Sequence, residues 1–282
     1  MTIMFVLVGC TLIYPSVQFI ECRMKVVVLG ASGDTGLEVV KEGLARGMKI
    51  TAGVRDPAKM DHVKHDNFSC VKVDIFSAES MASVFAGHDA VVSAVGFPKS
   101  PNKITSFSEM TPLIVSAMRT ARVKRLLVIS AWFTDEESRS HTFFQNNWKY
   151  VPGLVNVLDD QCRMEEFLND HASDIWWAAI KPGTLSWGEG TGRDLKYKIG
   201  GGVMDESFFI RRADLARGML DVVVSGAMGK VAIGEKCSKE DEKAELRAFQ
   251  GFMKTMQEKT IGKDAPDMTA FFDSWEKMID QK

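Results

Sequence analysis

The chain has 282 residues, of which 45% are hydrophobic and 26% are charged, and its formal net charge is −2. This length suits one large α/β domain, or one domain with an appendage, and the charge gives no reason to expect binding to nucleic acid or to an anionic membrane surface. The five cysteines are scattered without C-x-x-C spacing, so we expect no disulfide framework, no metal site and a reducing, cytoplasmic location.

The first 23 residues differ from the rest, because the stretch from Ile3 to Ile20 is almost wholly apolar. One interpretation is a secretory signal or membrane anchor, although the basic residues that normally precede such a core are absent. Pro15 also weakens a membrane-spanning helix. The other interpretations are an upstream start codon, with Met24 as the natural start, and a genuine extra element. All three stay open.

A glycine-rich turn between a strand and a helix organises the next part of the chain. Val26 to Leu29 form an apolar run typical of a strand buried on both faces, and Gly30, Gly33 and Gly36 follow at three-residue spacing. Apolar residues then recur at helical spacing as far as Arg46. Glycines let a pyrophosphate approach the backbone, and the helix start favours its charge, so this turn predicts a dinucleotide site.

A second strand from Lys49 to Val54 completes a βαβ unit, and its tip bears on the choice of nicotinamide cofactor. NAD sites normally carry an acid there for the ribose hydroxyls, whereas NADP sites carry an arginine for the 2′-phosphate. Arg55 therefore favours NADP(H), although the neighbouring Asp56 leaves NAD open.

The remaining apolar runs predict a doubly wound α/β fold, in which a parallel Rossmann sheet carries helices on both faces. The further predicted strands are Phe68–Val73, Ala90–Val95, Arg125–Ile129, Ile175–Ile180 and Lys230–Ile233. The further predicted helices are Ser77–Phe85 with Ser77 as N-cap, Met110–Arg122, Asp159–His171 and Arg211–Val224. Ligands bind at the carboxyl ends of parallel strands. Four residues at two such ends are candidates to line the adenosine and phosphate side of a nucleotide: Asp74, Ile75, Val95 and Gly96.

Two loops interrupt this pattern. Phe133 to Gly153 is a long irregular stretch rich in aromatic and amide side chains, and such a loop at the carboxyl end of a sheet predicts a cover over a substrate. A second, glycine-rich loop follows Lys181 and runs to Gly202.

The C-terminal part of the chain predicts two amphipathic helices. The segments Ser238–Glu258 and Ala270–Ile279 carry apolar residues at helical spacing among many charges. These helices would pack on the main domain or bind a protein partner. We therefore divide the chain into an apolar segment of residues 1–23, a nucleotide-binding domain of residues 24–235 and a helical extension of residues 236–282.

Six short motifs occur in an order that resembles one family of proteins. They are Gly30–Gly36 (GASGDTG), Val54–Asp56, Val73–Ile75, Ile129–Ala131, Asp159–Met164 (DDQCRM) and Ala213–Leu215. Together they resemble the atypical, NmrA-like short-chain dehydrogenases/reductases related to biliverdin-IXβ reductase, also called NADPH-dependent flavin reductase. The resemblance spans Met24 to Ile233 and implies a Rossmann fold, NADP(H) as cofactor and a reductase activity.

The resemblance also implies roles for individual residues. The pyrophosphate would be held by Gly30, Ser32, Gly33, Asp34, Thr35 and Gly36, the 2′-phosphate by Arg55, the adenine by Asp74 and Ile75, and the next part of the cofactor by Ala94, Val95 and Gly96. The nicotinamide would lie beside Ser130, Ala131 and Trp132, with Pro182, Gly183 and Thr184 closing over its carboxamide. The chain departs from the family at Gln161, where the family has a histidine in the substrate pocket.

The usual proton donor of short-chain dehydrogenases is missing from the sequence. Those enzymes pair a tyrosine with a lysine four residues later, and none of Tyr14, Tyr150 and Tyr197 has this lysine. Reduction of a flavin or tetrapyrrole does not need the pair, because the conjugated ring takes the hydride and the protein supplies cofactor, stacking surface and geometry. Four aromatic residues are candidates for that surface: Trp132, Phe133, Trp148 and Trp187.

We therefore expect a reductase that transfers hydride from NADPH to a small planar conjugated acceptor, a flavin or a tetrapyrrole. Ser130 is the candidate catalytic residue, which would orient the nicotinamide, and Trp132, Phe133 and Gln161 would face the substrate. The alternative is an NADP(H)-binding, redox-sensing interaction protein without turnover. The missing Tyr/Lys pair and the C-terminal helices favour this alternative.

Overall fold

The computed structural model describes residues 24–97, 100, 102–141, 145, 153–204, 207–260 and 268–281. The apolar segment of residues 1–23 lies outside this part of the chain, as does Trp148. None of the described helices combines the length and the apolar character that crossing a membrane requires.

The described strands and helices alternate along the chain. The strands are β1 (Lys25–Leu29), β2 (Lys49–Val54), β3 (Phe68–Lys72), β4 (Ala90–Ser93), β5 (Arg125–Ile129), β6 (Trp176–Pro182), β7 (Thr184–Ser186), β8 (Leu195–Ile199), β9 (Phe209–Arg211) and β10 (Gly229–Glu235). The α-helices are α1 (Asp34–Ala45), α2 (Ala78–Phe85), α3 (Ser106–Ala121), α4 (Glu136–Arg139), α5 (Leu154–His171), α6 (Arg212–Ser225), α7 (Lys239–Thr260) and α8 (Thr269–Gln281). Short 3₁₀ helices lie at Pro57–Met60 and Trp132–Thr134.

The main sheet has 8 strands in the order β3-β2-β1-β4-β5-β6-β10-β8. All neighbouring pairs are parallel except β10 and β8, which are antiparallel. β7 and β9 form a separate parallel pair. The order reverses between β1 and β4, and this switch point opens a crevice beyond the carboxyl ends of the strands. The doubly wound α/β fold predicted from the sequence is therefore confirmed.

Alternating side chains of the central strands build two apolar cores. In β1, Val26 and Val28 point to one core while Val27 and Leu29 point to the other, and all four are 0% exposed. Helices α1 and α6 cover the first face, and α2, α3 and α5 cover the second. Burial on both faces accounts for the continuous apolar run of β1.

The C-terminal helices pack on the main domain through a third apolar core. Trp275 of α8 is 1% exposed and stacks on Phe209 of β9 with ring centroids 4.8 Å apart. Phe249 of α7 contacts both rings edge-on. An ion pair of 2.8 Å between Arg211 and Glu245 adds a polar link between β9 and α7. The apolar faces of these helices are thus used within the chain.

Helix α3 begins earlier than its apolar pattern predicts. We expected a start at Met110, but the helix begins at Ser106. The carboxylate of Asp160 accepts hydrogen bonds from the backbone N–H groups of Phe107 (2.7 Å) and Ser108 (3.3 Å). This cap is supplied by helix α5, so the local sequence does not reveal it.

Both predicted loops contain regular structure, and two boundaries are shifted. The stretch from Phe133 includes α4, and α5 begins at Leu154 rather than at Asp159. The glycine-rich loop includes β7 and β8. β8 reads Leu-Lys-Tyr-Lys-Ile, an alternation that suits an antiparallel edge strand and lacks the apolar run of a buried parallel strand. β4 ends at Ser93, short of the predicted Val95.

Candidate functional site

The glycine-rich turn after β1 forms a tight cradle. Gly30 has a φ of +72°, and a Cβ on it would lie 2.9 Å from the carbonyl oxygen of Ala94. A Cβ on Gly36 would lie 2.1 Å from the carbonyl oxygen of Gly30. Gly33 is the N-cap of α1, and no side chain caps this helix. The backbone groups at the helix start are therefore not covered by a side chain, and this arrangement fits a pyrophosphate.

Arg55 and Asp56, which follow β2, differ in their hydrogen bonds. The Asp56 carboxylate accepts a hydrogen bond of 3.2 Å from the N–H of Ala58 and caps the following 3₁₀ helix. Arg55 is exposed, and its side chain makes no hydrogen bond or ion pair with another described residue. The cation is thus free for a ligand, whereas the acid is engaged in a local cap.

The other residues predicted for the nucleotide lie at the same edge of the sheet. Asp74 follows β3, and its carboxylate accepts a hydrogen bond of 2.9 Å from the N–H of Phe76. The predicted N-cap of α2 is confirmed, since the Ser77 hydroxyl accepts a hydrogen bond of 3.2 Å from the N–H of Ser80. Ile75 follows β3 as well, whereas three predicted residues follow β4: Ala94, Val95 and Gly96.

A cavity of about 500 Å³ lies beyond the ends of β5 and β6. It brings together eight residues that were predicted for the nicotinamide or the substrate: Ser130, Ala131, Trp132, Phe133, Gln161, Pro182, Gly183 and Thr184. Trp187, a predicted stacking residue, also lines it. Arg55, Asp74 and Ile75 do not line this cavity, because they lie at the ends of β2 and β3 on the far side of the switch point.

The C-terminal helices supply a wall of the cavity that the sequence interpretation missed. The wall consists of Phe249, Phe252, Met253, Phe271 and Trp275. The aromatic residues at helical spacing were visible in the sequence, but the surface that they would meet was not. The predicted boundary between residues 235 and 236 thus divides residues that line one cavity.

Two polar atoms in the cavity wall lack partners. The Nε1 of Trp132 and the Oε1 of Gln161 are buried and make no hydrogen bond with the described residues. Buried polar atoms are almost always satisfied, so these two atoms call for a partner such as a water molecule or a bound ligand.

Arg212 is the one charged residue among the described residues that line the cavity. Its guanidinium lies 4.4 Å from the ring centroid of Trp187 and donates a hydrogen bond of 3.0 Å to the carbonyl of Ser186. Trp187 in turn donates a hydrogen bond of 3.3 Å to Asp34 at the start of α1. Burial lowers the pKa of Arg212, and the charge of Asp34 partly opposes this. These contacts join the cavity to the cradle.

Behind Ser130 lies a group of polar and charged side chains. The Ser130 hydroxyl donates a hydrogen bond to the Glu165 carboxylate, which also accepts one of 2.9 Å from Thr134. The ammonium groups of Lys181 (3.2 Å) and Lys230 (3.0 Å) pair with the other oxygen of Glu165. The side chains of Glu165 and Lys181 are 0% exposed, so each charge depends on its partners in place of water.

Asp135 completes this group and connects it to solvent. It binds both Lys181 and Lys230, and its side chain is 24% exposed. Burial raises the pKa of Asp135, but the two lysines outweigh this effect and hold the pKa below its ordinary value of 3.8. Burial lowers the pKa of Lys230, but Asp135 and Glu165 raise it overall to about 12. The buried charge cluster is defined as Ser130, Thr134, Asp135, Glu165, Lys181 and Lys230.

The sequence interpretation missed Glu165 and Lys181, although it held a signal for each. Glu165 lies on the apolar stripe of α5 with Leu158 and Leu168, where a charge needs a partner. Lys181 directly follows the apolar Ala179–Ile180 part of β6. A polar residue at a position of core periodicity indicates a buried network or a functional group.

Known proteins share sequence with a large part of this chain. A family model described as NAD(P)H-binding matches residues 30–225. Among curated proteins, the uncharacterized protein YwnB of Bacillus subtilis is 34% identical over 164 residues, which is 56% of this chain and 71% of YwnB. The photosystem II assembly factor Ycf39 of Guillardia theta is 26% identical over 147 residues, which is 51% of this chain and 42% of Ycf39.

Solved structures show the same fold. SP1627 of Streptococcus pneumoniae, a proposed NADH-flavin reductase, aligns with a TM-score of 0.61 and 24% identity over 76% of this chain and 100% of its own. A short-chain dehydrogenase/reductase of Veillonella parvula in complex with NADP aligns with a TM-score of 0.58 and 12% identity over 75% of this chain and 94% of its own. At these identities the likeness establishes the fold alone.

Proposed function

The chain belongs to the family of NAD(P)H-binding proteins, and we propose that it is an NADPH-dependent reductase of a planar conjugated acceptor, such as a flavin. The observation that carries this proposal is the aromatic cavity beside the glycine cradle. The cradle fits the diphosphate of a dinucleotide, and the contacts through Trp187 and Arg212 place the cavity next to it. A bound dinucleotide would therefore extend toward the cavity.

The tip of β2 supports NADP(H) over NAD(H). A 2′-phosphate needs a cation, and Arg55 has no partner among the described residues. The acid that could instead bind ribose hydroxyls, Asp56, is engaged with the N–H of Ala58. Among the similar structures, the Veillonella parvula protein holds NADP whereas SP1627 is described as a proposed NADH-flavin reductase, so the proposal of NADP(H) rests on Arg55.

The wall of the cavity supports an aromatic, largely uncharged acceptor. Rings from the main domain (Trp132, Phe133, Phe208) and from the extension (Phe252, Trp275) line it together, and Phe208 meets Trp275 edge to face. Aromatic faces stack favourably on conjugated ring systems. Arg212 is the one charged residue among the described lining residues, so the cavity offers a single cation. A flavin ring therefore suits it better than a tetrapyrrole that carries several carboxylates.

Different residues of the cavity would have different roles in a hydride transfer. The reduced dinucleotide, when bound, supplies the hydride. The Ser130 hydroxyl donates its hydrogen bond to Glu165 before the acceptor reacts, so its oxygen can accept an amide N–H such as that of a carboxamide. Trp132 and the extension exclude water and present rings on which the acceptor lies.

The proposal is tested by NADPH oxidation with riboflavin, FMN and biliverdin offered in turn, and with NADH in parallel. Turnover with riboflavin that prefers NADPH is the expected result. Tight binding of NADPH without turnover of any acceptor would refute the reductase and support the second candidate, an NADP(H)-binding sensor. The feature that favours this second candidate is the absence of a Tyr/Lys pair in the sequence.

A further inference from the structure

Two full charges are buried behind Ser130, a residue of the cavity wall. The side chains of Glu165 and Lys181 are 0% exposed, and their charged groups lie 3.2 Å apart. Replacement of a buried ion pair by well-packed apolar residues is often neutral or stabilising, so such a pair is a poor means of stabilising a fold. Titratable groups that converge on a cavity are typical of functional sites. A role in chemistry therefore accounts for this pair better than a role in stability.

Hydrogen bonds link the buried charge cluster into a continuous path. Asp135 forms the solvent end with its partly exposed carboxylate, and it binds the ammonium of Lys181. Lys181 donates to the hydroxyl of Thr134, and this hydroxyl donates to Glu165 at 2.9 Å. Glu165 is bonded to Ser130, which lines the cavity. Glu165 accepts from both Thr134 and Ser130, so a proton can pass from Lys181 to the cavity when the Ser130 hydroxyl turns from Glu165 toward a bound acceptor.

We propose that the buried charge cluster supplies the proton that accompanies hydride transfer in the cavity, and this proposal rests on the reductase function. The acceptor gains a hydride from the bound dinucleotide and with it a negative charge. The Ser130 hydroxyl turns from Glu165 to the acceptor and gives it a proton. The serine oxygen then takes a replacement proton from Glu165, which receives one from the Lys181 ammonium through Thr134. Lys181 recovers its proton from water at the Asp135 end. The reaction thus consumes one solvent proton and leaves the cluster unchanged.

This path replaces the missing tyrosine and lysine. In the usual short-chain dehydrogenases a tyrosine donates the proton and a lysine lowers its pKa. Here Ser130 occupies the donor position, and the positive charge comes from Lys181 and Lys230 through Glu165. Ser130 is the catalytic residue of the path, and the residues behind it act through it.

A charge-balanced double variant, Glu165→Gln with Lys181→Met, tests the relay. It removes the two fully buried charges of the path together and leaves Asp135 paired with Lys230. The single variant Glu165→Gln leaves an excess of buried positive charge, so we expect it to have a lower melting temperature than the double variant. Asp160→Asn is the matched control, because this carboxylate on the same helix is also 0% exposed but caps α3 instead of joining the path.

With NADPH and riboflavin, we expect the kcat of the double variant to fall about 100-fold, a usual contribution of general acid–base catalysis. The Kd for NADPH, measured by fluorescence titration, should stay within about twofold of the wild-type value because no member removed binds the cofactor. The kcat of the wild type should fall in D₂O, and the double variant should lose this sensitivity. Asp160→Asn should lower the melting temperature while kcat and its response to D₂O are retained.

Three results would overturn the relay. These are wild-type kcat in the double variant, a wild-type kcat that is equal in H₂O and D₂O, and a loss of NADPH affinity as large as the loss of kcat. The D₂O measurement uses the unaltered protein, so it decides the matter even if the substitutions impair folding. Any of these results with normal wild-type turnover leaves the reductase standing. Absence of wild-type turnover with every acceptor refutes the reductase and the relay together.

Discussion

Replacement of Arg55 by alanine should change the choice between the two nicotinamide cofactors. Arg55 is exposed at the tip of β2 and makes no side-chain hydrogen bond or ion pair with a described residue, so its removal should change the free energy of unfolding little. The side chain is left with one proposed partner, the 2′-phosphate that distinguishes NADPH from NADH. The variant should therefore bind NADPH more weakly and bind NADH with almost unchanged affinity.

The expected size of this effect follows from the exposure of Arg55. A hydrogen bond to a charged group contributes about 1.5–3 kcal/mol, and every 1.4 kcal/mol is about tenfold in Kd. Solvent and salt screen an exposed guanidinium, so the lower end applies. We expect NADPH to bind about tenfold more weakly at physiological ionic strength, with a larger loss at low salt.

Titration of each cofactor by calorimetry, at two salt concentrations, measures this effect. Arg247→Ala is the matched control, because Arg247 is an exposed arginine on α7, far along the chain from the cradle. It should leave both Kd values unchanged. An equal loss of NADPH and NADH affinity in Arg55→Ala, or no loss in either, would refute the assignment of Arg55 to the 2′-phosphate.

Three further predictions test the cradle, the extension and the buried charge cluster. Gly36→Ala places a Cβ 2.1 Å from the Gly30 carbonyl oxygen, so it should lower the free energy of unfolding by about 1–3 kcal/mol and weaken the binding of NADPH. The control Gly251→Ala has open space in α7 and should raise the free energy of unfolding, measured in urea, by up to about 1 kcal/mol. Trp275→Ala removes a ring that is 1% exposed, so the free energy of unfolding should fall by about 3–5 kcal/mol and the KM for the acceptor should rise. Trp275→Phe keeps an aromatic ring and should lower the free energy of unfolding much less. Lys230 has its pKa raised from 10.5 to about 12, so its contribution to stability is complete below pH 10.5 and is lost as the pH rises through 12; unfolding followed across this range should show that Lys230→Met lacks this pH dependence.

The parts of the fold and site that could be predicted are those set by local sequence. The cradle was visible because Gly30 and Gly36 stand where only glycine fits between a strand and a helix. The N-cap at Ser77 could be predicted because its partner, the N–H of Ser80, lies only three residues further along the chain. The parallel strands were visible because burial on both faces demands continuous apolar runs, as in β1.

The parts that could not be predicted depend on contacts between distant segments. The start of α3 is set by Asp160, which lies on another helix. Asp56 left the cofactor choice open in the sequence, and its cap to Ala58 became apparent only with the backbone in place. The pairing of Glu165 with Lys181 and the closure of the cavity by Trp275 also require the tertiary structure, because no local pattern states which element a helix face will meet.

Transfer of hydride from NADPH to a flavin-like acceptor is tested most directly by kcat/KM for riboflavin reduction with each nicotinamide cofactor. We predict measurable reduction of riboflavin with NADPH and a kcat/KM for NADPH well above that for NADH. Absence of riboflavin reduction by protein that binds NADPH, or an equal kcat/KM for the two cofactors, would contradict it.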